Sequence, residues 1–402
     1  MGLPHFELPF FTNLLILLVL ARLLGELFER FKQPAMIGEI IAGIILGPTL
    51  LNLIHRSDEI KTISELGVFL LVIIAGLEID FEDILKSLRG RNIIISLFAF
   101  FLPIFCGFAV GYFFGLDTMT TVFMGLCVAI TALPVSIRIL MDLGKINSDI
   151  GQKIISVAIF DDILALTILG VLLNIKDTDL ELMSILKVSL TSLLKLSLFI
   201  VILVLAYKFI KKLSNRENFV ENELNRFLDI LKGKESLYAI FFVFVLVFAT
   251  ITETLGFHFI VGSFFAAMLI NDNLVGKKHL ESFHSTTNSL AMGFLAPVFF
   301  AGIGLEFNFS SIENYFLLFM VLFVSYFSKI VGGFFGGRLA GFDSKFSLTL
   351  GIGLNARGIM ELVIANIAYK ANLISLEIFS ILVIMGVVTT LSTPFLLKRR
   401  FK

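Results

Sequence analysis

Two adjacent aspartates, Asp161 and Asp162, lie in the middle of an apolar stretch that is long enough to cross a membrane. A charged side chain at the centre of a bilayer costs at least ~2.5 kcal/mol even on the mildest scales. Intramembrane carboxylates are usually found where an ion or a proton passes. The aspartate pair therefore predicts a transport protein whose carboxylates bind a cation or a proton.

Lys329 lies half-way along another apolar stretch, too far from either end for its side chain to reach water easily. A buried ammonium group needs an anionic partner, and Asp161 or Asp162 is the obvious candidate. Because neighbouring helical residues point about 100° apart, one aspartate can pair with Lys329 while the other faces a water-filled pathway. A purely structural buried ion pair is the alternative interpretation.

Two apolar stretches contain helix-breaking residues at similar depths. Pro134, in residues 129–136, removes a backbone donor and disfavours the helical conformation of the residue before it. Asn355, in residues 351–358, lies among glycines that loosen a helix. Membranes tolerate unpaired backbone groups only where a cavity or an ion satisfies them. The two breaks therefore predict an ion site, although a simple kink is the alternative for Pro134.

Arg357 and Glu361 are four residues apart, so on a continuous helix they share a face. We expect them to form a salt bridge that supports the second broken span. The remaining intramembrane charges are predicted to be structural or gating groups. These are Glu39, Glu78, Arg138 and Glu306, together with Arg22, which is expected to face the bundle interior or to extend towards the surface.

The composition is that of a polytopic membrane protein. The 402 residues are 57% hydrophobic and only 16% charged, whereas soluble domains carry about 25% charged residues. A net charge of zero suggests no nucleic-acid partner. Thirteen spans are predicted, or twelve if one end segment lies on the membrane surface. Their ranges are 8–28, 34–53, 61–78, 92–115, 119–141, 148–174, 183–207, 236–253, 255–271, 287–305, 315–337, 346–368 and 374–397.

Lysine and arginine concentrate in the loops on one side of this thirteen-span arrangement. By the positive-inside rule, the N-terminus is then outside and the C-terminus cytoplasmic. The longest loop, 208–235, is predicted to be either an amphipathic surface helix or a solvated connector.

The two halves of the chain echo each other. A glycine–leucine pair followed by an acid ends the third span at Gly76 and the tenth span at Gly304, seven spans apart and therefore in opposite orientation. We expect an inverted repeat, which places a substrate near the bilayer midplane. Residues 1–182 form the first repeat, residues 183–235 a linker with one span, and residues 236–402 the second repeat.

Residues 34–48 resemble the opening signature of the bacterial monovalent cation:proton antiporters, in the cation:proton antiporter-2 branch of the Na⁺/H⁺ exchanger superfamily. The aspartate pair, the Lys329 span and residues 356–362 fit the same family. The resemblance covers essentially the whole chain. It implies an all-α fold with a dimerisation domain and a mobile core of crossed, discontinuous helices, in a homodimer.

The resemblance also implies roles for single residues. Asp162 matches the ion- and proton-carrying position, and Asp161 matches the acid that pairs with the lysine, here Lys329. Thr131 matches a polar residue of the unwound span that helps to coordinate the ion. The chain departs from many relatives at residues 132–133, which are apolar here, while other relatives have Asn or Gln in place of Asp161. The double acid favours the lysine-paired, electrogenic type.

The expected function is exchange of a monovalent cation, Na⁺ before K⁺ or Li⁺, for protons by alternating access in the plasma membrane, without a cofactor. Cation and proton compete for Asp162, and two protons move per cation if Lys329 switches partner. A K⁺/H⁺ antiporter or K⁺ efflux protein is the alternative, and an ion channel is a more remote one. An intramembrane aspartyl protease is disfavoured because its two acids must come from different helices, whereas Asp161 and Asp162 are neighbours.

Overall fold

The computed structural model describes residues 9–401, apart from residues 56, 80–91, 147, 176–181, 215–233 and 271–275. Every regular element among these residues is a helix, so the prediction of an all-α chain is confirmed. The first half contains α1 Phe10–Arg30, α2 Ala35–Leu46, α3 Asp58–Leu77, α4 Asn92–Phe113, α5 Thr118–Ala129, α6 Leu133–Asp142, α7 Asp149–Ile175 and α8 Leu182–Ser214.

The second half continues with a similar series of long and short helices. They are α9 Lys234–Thr254, α10 Phe259–Leu269, α11 Lys277–Leu290, α12 Ala296–Glu306, α13 Tyr315–Leu339, α14 Ser344–Gly353, α15 Ile359–Lys370 and α16 Leu376–Phe401. A π-helical turn, Ala291–Leu295, joins α11 to α12, and a short 3-10 helix, Phe309–Ser311, follows α12.

Nine helical segments of the described residues are long and apolar enough to cross a membrane, and α2, α5 and α10 are shorter apolar helices. One helix, or two in succession, overlaps each of the thirteen predicted ranges, although α2 and α10 are shorter than the ranges predicted for them. The number of crossings itself stays a prediction. Most of the predicted amphipathic loop, from residue 215 to residue 233, lies outside the described residues, and α8 extends to Ser214.

Packing divides the helices into two groups. In the scaffold group, α2 packs against α1 and α12, while α3 packs against α10 and α12, and α9 packs against α10. In the core group, α4 packs against α5 and α13, α13 against α14, and α15 against α16. Helix α7 belongs to the core group, where it contacts α4, α6 and α14, and α8 lies against both α7 and α10. Both broken spans, α5–α6 and α14–α15, therefore lie in the core group.

Glycines bring equivalent helices of the core group into close contact. A Cβ atom on Gly107 of α4 would lie 2.7 Å from the Cα of Gly125 in α5. A Cβ atom on Gly333 of α13 would lie 2.5 Å from the Cα of Gly351 in α14. Gly333 and Gly351 each follow their counterpart by the same 226 positions. This recurrence supports the two-repeat division, which stays a proposal.

The structure corrects the role expected for Gly351. The sequence suggested that this glycine loosens the second broken span, but α14 continues as a helix through Gly353. A Cβ atom at position 351 would lie 2.3 Å from the carbonyl oxygen of Ile330. Gly351 is therefore required for the close approach of α14 to α13, and the break begins only after Gly353.

We predict that Gly351→Ala destabilises the protein by about 1–3 kcal/mol, because the methyl group forces two tightly packed helices apart. The measurement is thermal unfolding in detergent, with Gly293→Ala as the control. No atom lies within 4 Å of a Cβ at Gly293, so this variant should melt like the wild type. Equal melting temperatures for both variants would contradict the assigned contact.

Candidate ion-binding site

The two breaks lie against each other in the core group. Helix α5 ends at Ala129 and α6 begins at Leu133, while α14 ends at Gly353 and α15 begins at Ile359. The intervening segments are joined by a hydrogen bond from the backbone N–H of Ala132 to the carbonyl of Ala356, 2.9 Å long. They are joined again by the hydroxyl of Thr131, which donates to the carbonyl of Leu354 over 3.0 Å. Together the breaks form a crossing of two non-helical segments, 130–132 and 354–358, within the protein interior.

Pro134 explains where the first break ends. It lies in the first turn of α6, where the missing amide hydrogen of a proline has no helical partner to lose and its backbone angle suits a helix start. The proline thus marks the beginning of a half-helix and not a kink within a continuous one.

Lys329 lies at the C-terminal end of α5, which we call its open end because the last carbonyls there have no helical partners. Its ammonium group donates to Asp161 Oδ2 over 2.7 Å, to the carbonyl of Ala99 over 3.0 Å and to the carbonyl of Ala129. Lys329 and Asp161 are both fully buried. The last carbonyls of a helix lack helical partners and carry partial negative charge, so a cation there is doubly stabilising. Of the two candidate partners, Asp161 is the one that Lys329 contacts.

Arg357 approaches the same helix end. Its guanidinium donates to the carbonyl of Cys127 over 2.5 Å and to the carbonyl of Ser325 over 3.4 Å. Its own carbonyl accepts a 2.6 Å hydrogen bond from the hydroxyl of Thr390 in α16. Two buried cations thus neutralise the carbonyl end of α5, and Thr390 holds the second break in place. Sequence reasoning missed Thr390 because threonines in apolar helices usually bond to their own helix.

The predicted salt bridge between Arg357 and Glu361 is wrong. Arg357 precedes the start of α15 at Ile359, so the spacing that brings residues four apart together on a helix does not apply. Among the described residues, neither carboxylate oxygen of the buried Glu361 has a hydrogen-bond partner. Glu361 lies instead in the first turn of α15, where the positive end of the helix favours a carboxylate.

Asp162 differs from its neighbour. It is fully buried, and neither of its oxygens accepts a hydrogen bond from any described residue. The charged groups that act on it include two other acids, Asp161 and Glu78, besides Lys329. A buried carboxylate without donors must bind a proton or a cation to avoid a large desolvation penalty. Glu361 is a buried carboxylate of the same kind, but Asp162 is the one that lies beside Asp161 and is acted on by the charge of Lys329.

Further polar atoms without partners lie on Asp161, the neighbour of Asp162, and at the crossing. The free Oδ1 of Asp161 and both polar side-chain atoms of Asn355 lack hydrogen-bond partners among the described residues. The hydroxyl of Thr131 is also a neighbour of Asp161, and its oxygen keeps lone pairs while it donates to Leu354. The oxygen atoms are hard donors, which suit an alkali cation.

Other charged residues singled out in the sequence lie elsewhere. Arg22 lies 3.7 Å from the buried carboxylate of Glu39 and donates to the carbonyl of Met292 in the π-helical turn over 3.2 Å. This cluster joins α1, α2 and the π-helical turn within the scaffold group. The side chain of Arg138 lies outside the described part of the chain.

A family model for the transmembrane domain of sodium/hydrogen exchangers matches residues 15–399. The chain belongs to the sodium/hydrogen exchanger family. This family consists of transporters, and the long apolar helices agree with a multi-pass membrane protein.

Individual relatives match along nearly their full length. The chain is 30% identical to the Na(+)/H(+)-K(+) antiporter GerN of Bacillus cereus, over 98% of this chain and 97% of the relative. It is 29% identical to the Na(+)/H(+) antiporter of Enterococcus hirae, over 96% of this chain and 97% of the relative. The structure of the sodium proton antiporter MjNhaP1 from Methanocaldococcus jannaschii covers 98% of both chains with a TM-score of 0.73 at 17% identity. The predicted antiporter fold is thereby confirmed.

We predict that Lys329→Gln lowers the unfolding free energy by about 3–5 kcal/mol, because it leaves Asp161 buried without its counter-charge. Adding Asp161→Asn should restore part of this loss. The measurement is thermal unfolding in detergent. The control is Lys277→Gln, which removes an exposed ion pair with Glu281 and should cost less than about 1 kcal/mol. A double variant that melts no higher than Lys329→Gln would contradict the charge-pair account.

Proposed function

We propose that this exchanger moves a monovalent cation, Na⁺ in the first place, against protons across the membrane, and that both compete for Asp162. The observation that carries the proposal is the carboxylate of Asp162, which is fully buried, has no donor among the described residues and lies beside the Asp161–Lys329 pair. The names of the relatives, which describe Na⁺/H⁺ antiporters, support Na⁺ as the cation.

The chemistry of binding follows from the oxygens at the crossing. A dehydrated alkali cation needs several hard oxygen ligands in place of its water shell. We propose Asp162 as the charged ligand and Thr131 as a neutral one, with Asn355 and the free oxygen of Asp161 as additional donors. A proton on Asp162 removes the negative charge that holds the cation. Exchange is therefore obligatory, because the site is neutralised by one ion or the other but not by both.

In the proton-loaded state Asp161 is neutralised by charged Lys329. If Lys329 releases its proton to water when the cation binds, in addition to the proton released by Asp162, two protons move per cation and Asp161 becomes a second charged ligand. This electrogenic stoichiometry is the one proposed here, in keeping with the lysine-paired antiporter-2 branch.

K⁺ is the second candidate cation. The name of the GerN relative includes K⁺ beside Na⁺ and H⁺, and the oxygens at the crossing suit either ion. We also propose a plasma-membrane location with the N-terminus outside, supported by the lysine and arginine bias of the loops. Alternating access is proposed to arise from movement of the core group against the scaffold group in a homodimer.

We predict that Asp162→Asn abolishes exchange, because an amide can neither take up the proton nor neutralise the cation. The measurement is internal pH of liposomes after addition of Na⁺, K⁺ or Li⁺. Asp117→Asn is the matched control: Asp117 caps α5 by accepting from the backbone N–H of Thr120, and asparagine caps equally well. Cation-driven proton movement that persists in Asp162→Asn would refute the assignment.

Competition also predicts how the apparent affinity changes with pH. A lower pH raises the protonated fraction of Asp162, so the KM for Na⁺ should rise as the pH falls, by up to about tenfold per pH unit for one competing proton. When Na⁺ is saturating on the side from which it is loaded, it outcompetes the proton, so the maximal rate should depend much less on the pH of that side than KM does. Measurement of the initial rate against Na⁺ concentration at several pH values tests this. A KM that does not vary with pH would exclude a shared site.

A further inference from the structure

Two contacts between the core group and the scaffold group lie near one end of the bundle. They involve the turn between α9 and α10, the C-terminal end of α15, the second half of α7 and the N-terminal half of α3. In the proposed orientation this is the outer face. We name the contacts Glu65–Lys370 and Phe257–Gly170 together the outer seam.

The first contact of the outer seam is an ion pair. Lys370 Nζ lies 3.2 Å from Glu65 Oε1. Glu65 belongs to α3 of the scaffold group, and Lys370 is the last residue of α15, the half-helix that begins at the second break. His258, whose side chain caps α10, lies close enough for the charges of both Glu65 and Lys370 to act on it. The pair therefore connects the scaffold directly to the broken span.

The second contact is a ring packed on a glycine. A Cβ atom on Gly170 of α7 would lie 2.8 Å from Cδ1 of Phe257, so this position accepts the ring only because it carries no side chain. The turn that presents Phe257 is well defined: Gly256 has a positive φ of 87°, and the N–H of Phe257 donates to the carbonyl of Thr252 over 2.8 Å. Since α7 also carries Asp161 and Asp162, this contact connects the scaffold to the aspartate pair.

We propose that the outer seam is the external gate of the exchanger: it closes the outer side of the ion site in this conformation and parts when the core group moves to open that side. The proposal rests on the alternating access proposed above. Both contacts link the scaffold to a helix that carries site residues, α7 and the half-helix α15. Movement of the core along the scaffold must therefore separate both contacts together.

The energetics suit a reversible gate. The side chain of Glu65 is about half exposed, and an ion pair of this kind contributes at most about 1 kcal/mol. Breaking it should shift the balance between the two conformations by no more than about fivefold. The ring contact can separate without breaking any hydrogen bond, because the turn keeps its own backbone bond to Thr252.

A reversible cross-link tests the gate. Gly170→Cys with Phe257→Cys is treated in liposomes with a short bis-methanethiosulfonate, which joins the two thiols through reducible disulfides, and Na⁺-driven proton flux is measured before treatment, after treatment and after reduction. The expected result is a loss of at least about tenfold on cross-linking, with recovery on reduction. The control pair, Gly25→Cys with Ala35→Cys, joins α1 to α2 within the scaffold group, where a Cβ atom on Gly25 would lie 3.5 Å from the Cβ of Ala35, and should transport equally well when cross-linked.

Undiminished flux through the cross-linked Gly170–Phe257 pair would overturn the proposal. If that double variant does not fold, the charge pair decides. Glu65→Lys should change the apparent affinity for external Na⁺ by up to about fivefold, and adding Lys370→Glu should reverse the change. The absence of either effect would also overturn the gate. Failure of the proposed function itself is distinguishable, because untreated wild-type protein would then show no cation-driven proton flux.

Discussion

The site depends on the ammonium group of Lys329 at the open end of α5. A half-helix that stops inside a membrane protein leaves its last carbonyls without partners and concentrates negative charge there. Lys329 donates to one of these carbonyls, and Arg357 donates to another two residues earlier. Without these two cations, the break at residues 130–132 would be a cluster of unpaired polar groups in an apolar interior. The helix break and the buried cations therefore depend on each other, because each satisfies the unpaired groups or charges of the other.

The other packing features keep this arrangement in register. Glycines let α4 approach α5 and let α13 approach α14 at backbone distance, so that Lys329 on α13 can reach the end of α5. A hydrogen bond from Ala132 to Ala356 holds the two breaks together, and Thr390 holds the second break from α16. Charge, close packing and the crossing support one another within the core group. The scaffold group contributes no comparable buried site among the described residues, apart from the pair of Arg22 and Glu39.

Sequence reasoning found the residues whose burial within a membrane helix costs the most free energy. The aspartate pair, Lys329 and Pro134 each violate a rule for membrane helices, so their types and positions alone predicted chemistry and a break. It failed where the partner is a backbone carbonyl. Arg357 was paired with Glu361 because a continuous helix was assumed, whereas its donors are used by Cys127 and Ser325, whose carbonyls leave no trace in the sequence. The role of Gly351 was mistaken for a similar reason, since close approach of two helices depends on the partner helix.

The hydrogen bonds of Lys329 bear on the number of protons that move. An ammonium group has three N–H donors, and each is used: one for Asp161 and two for the carbonyls of Ala99 and Ala129. If Lys329 releases a proton to water, the neutral amine keeps two N–H donors, as many as there are carbonyls. Deprotonation would therefore leave both backbone bonds intact. It weakens the positive charge at the end of α5, where Arg357 remains, and leaves the charge of Asp161 to be neutralised by the bound cation. A second proton can leave the site in this way without dismantling the helix break, which is why we propose a two-proton cycle over one in which Lys329 stays charged throughout.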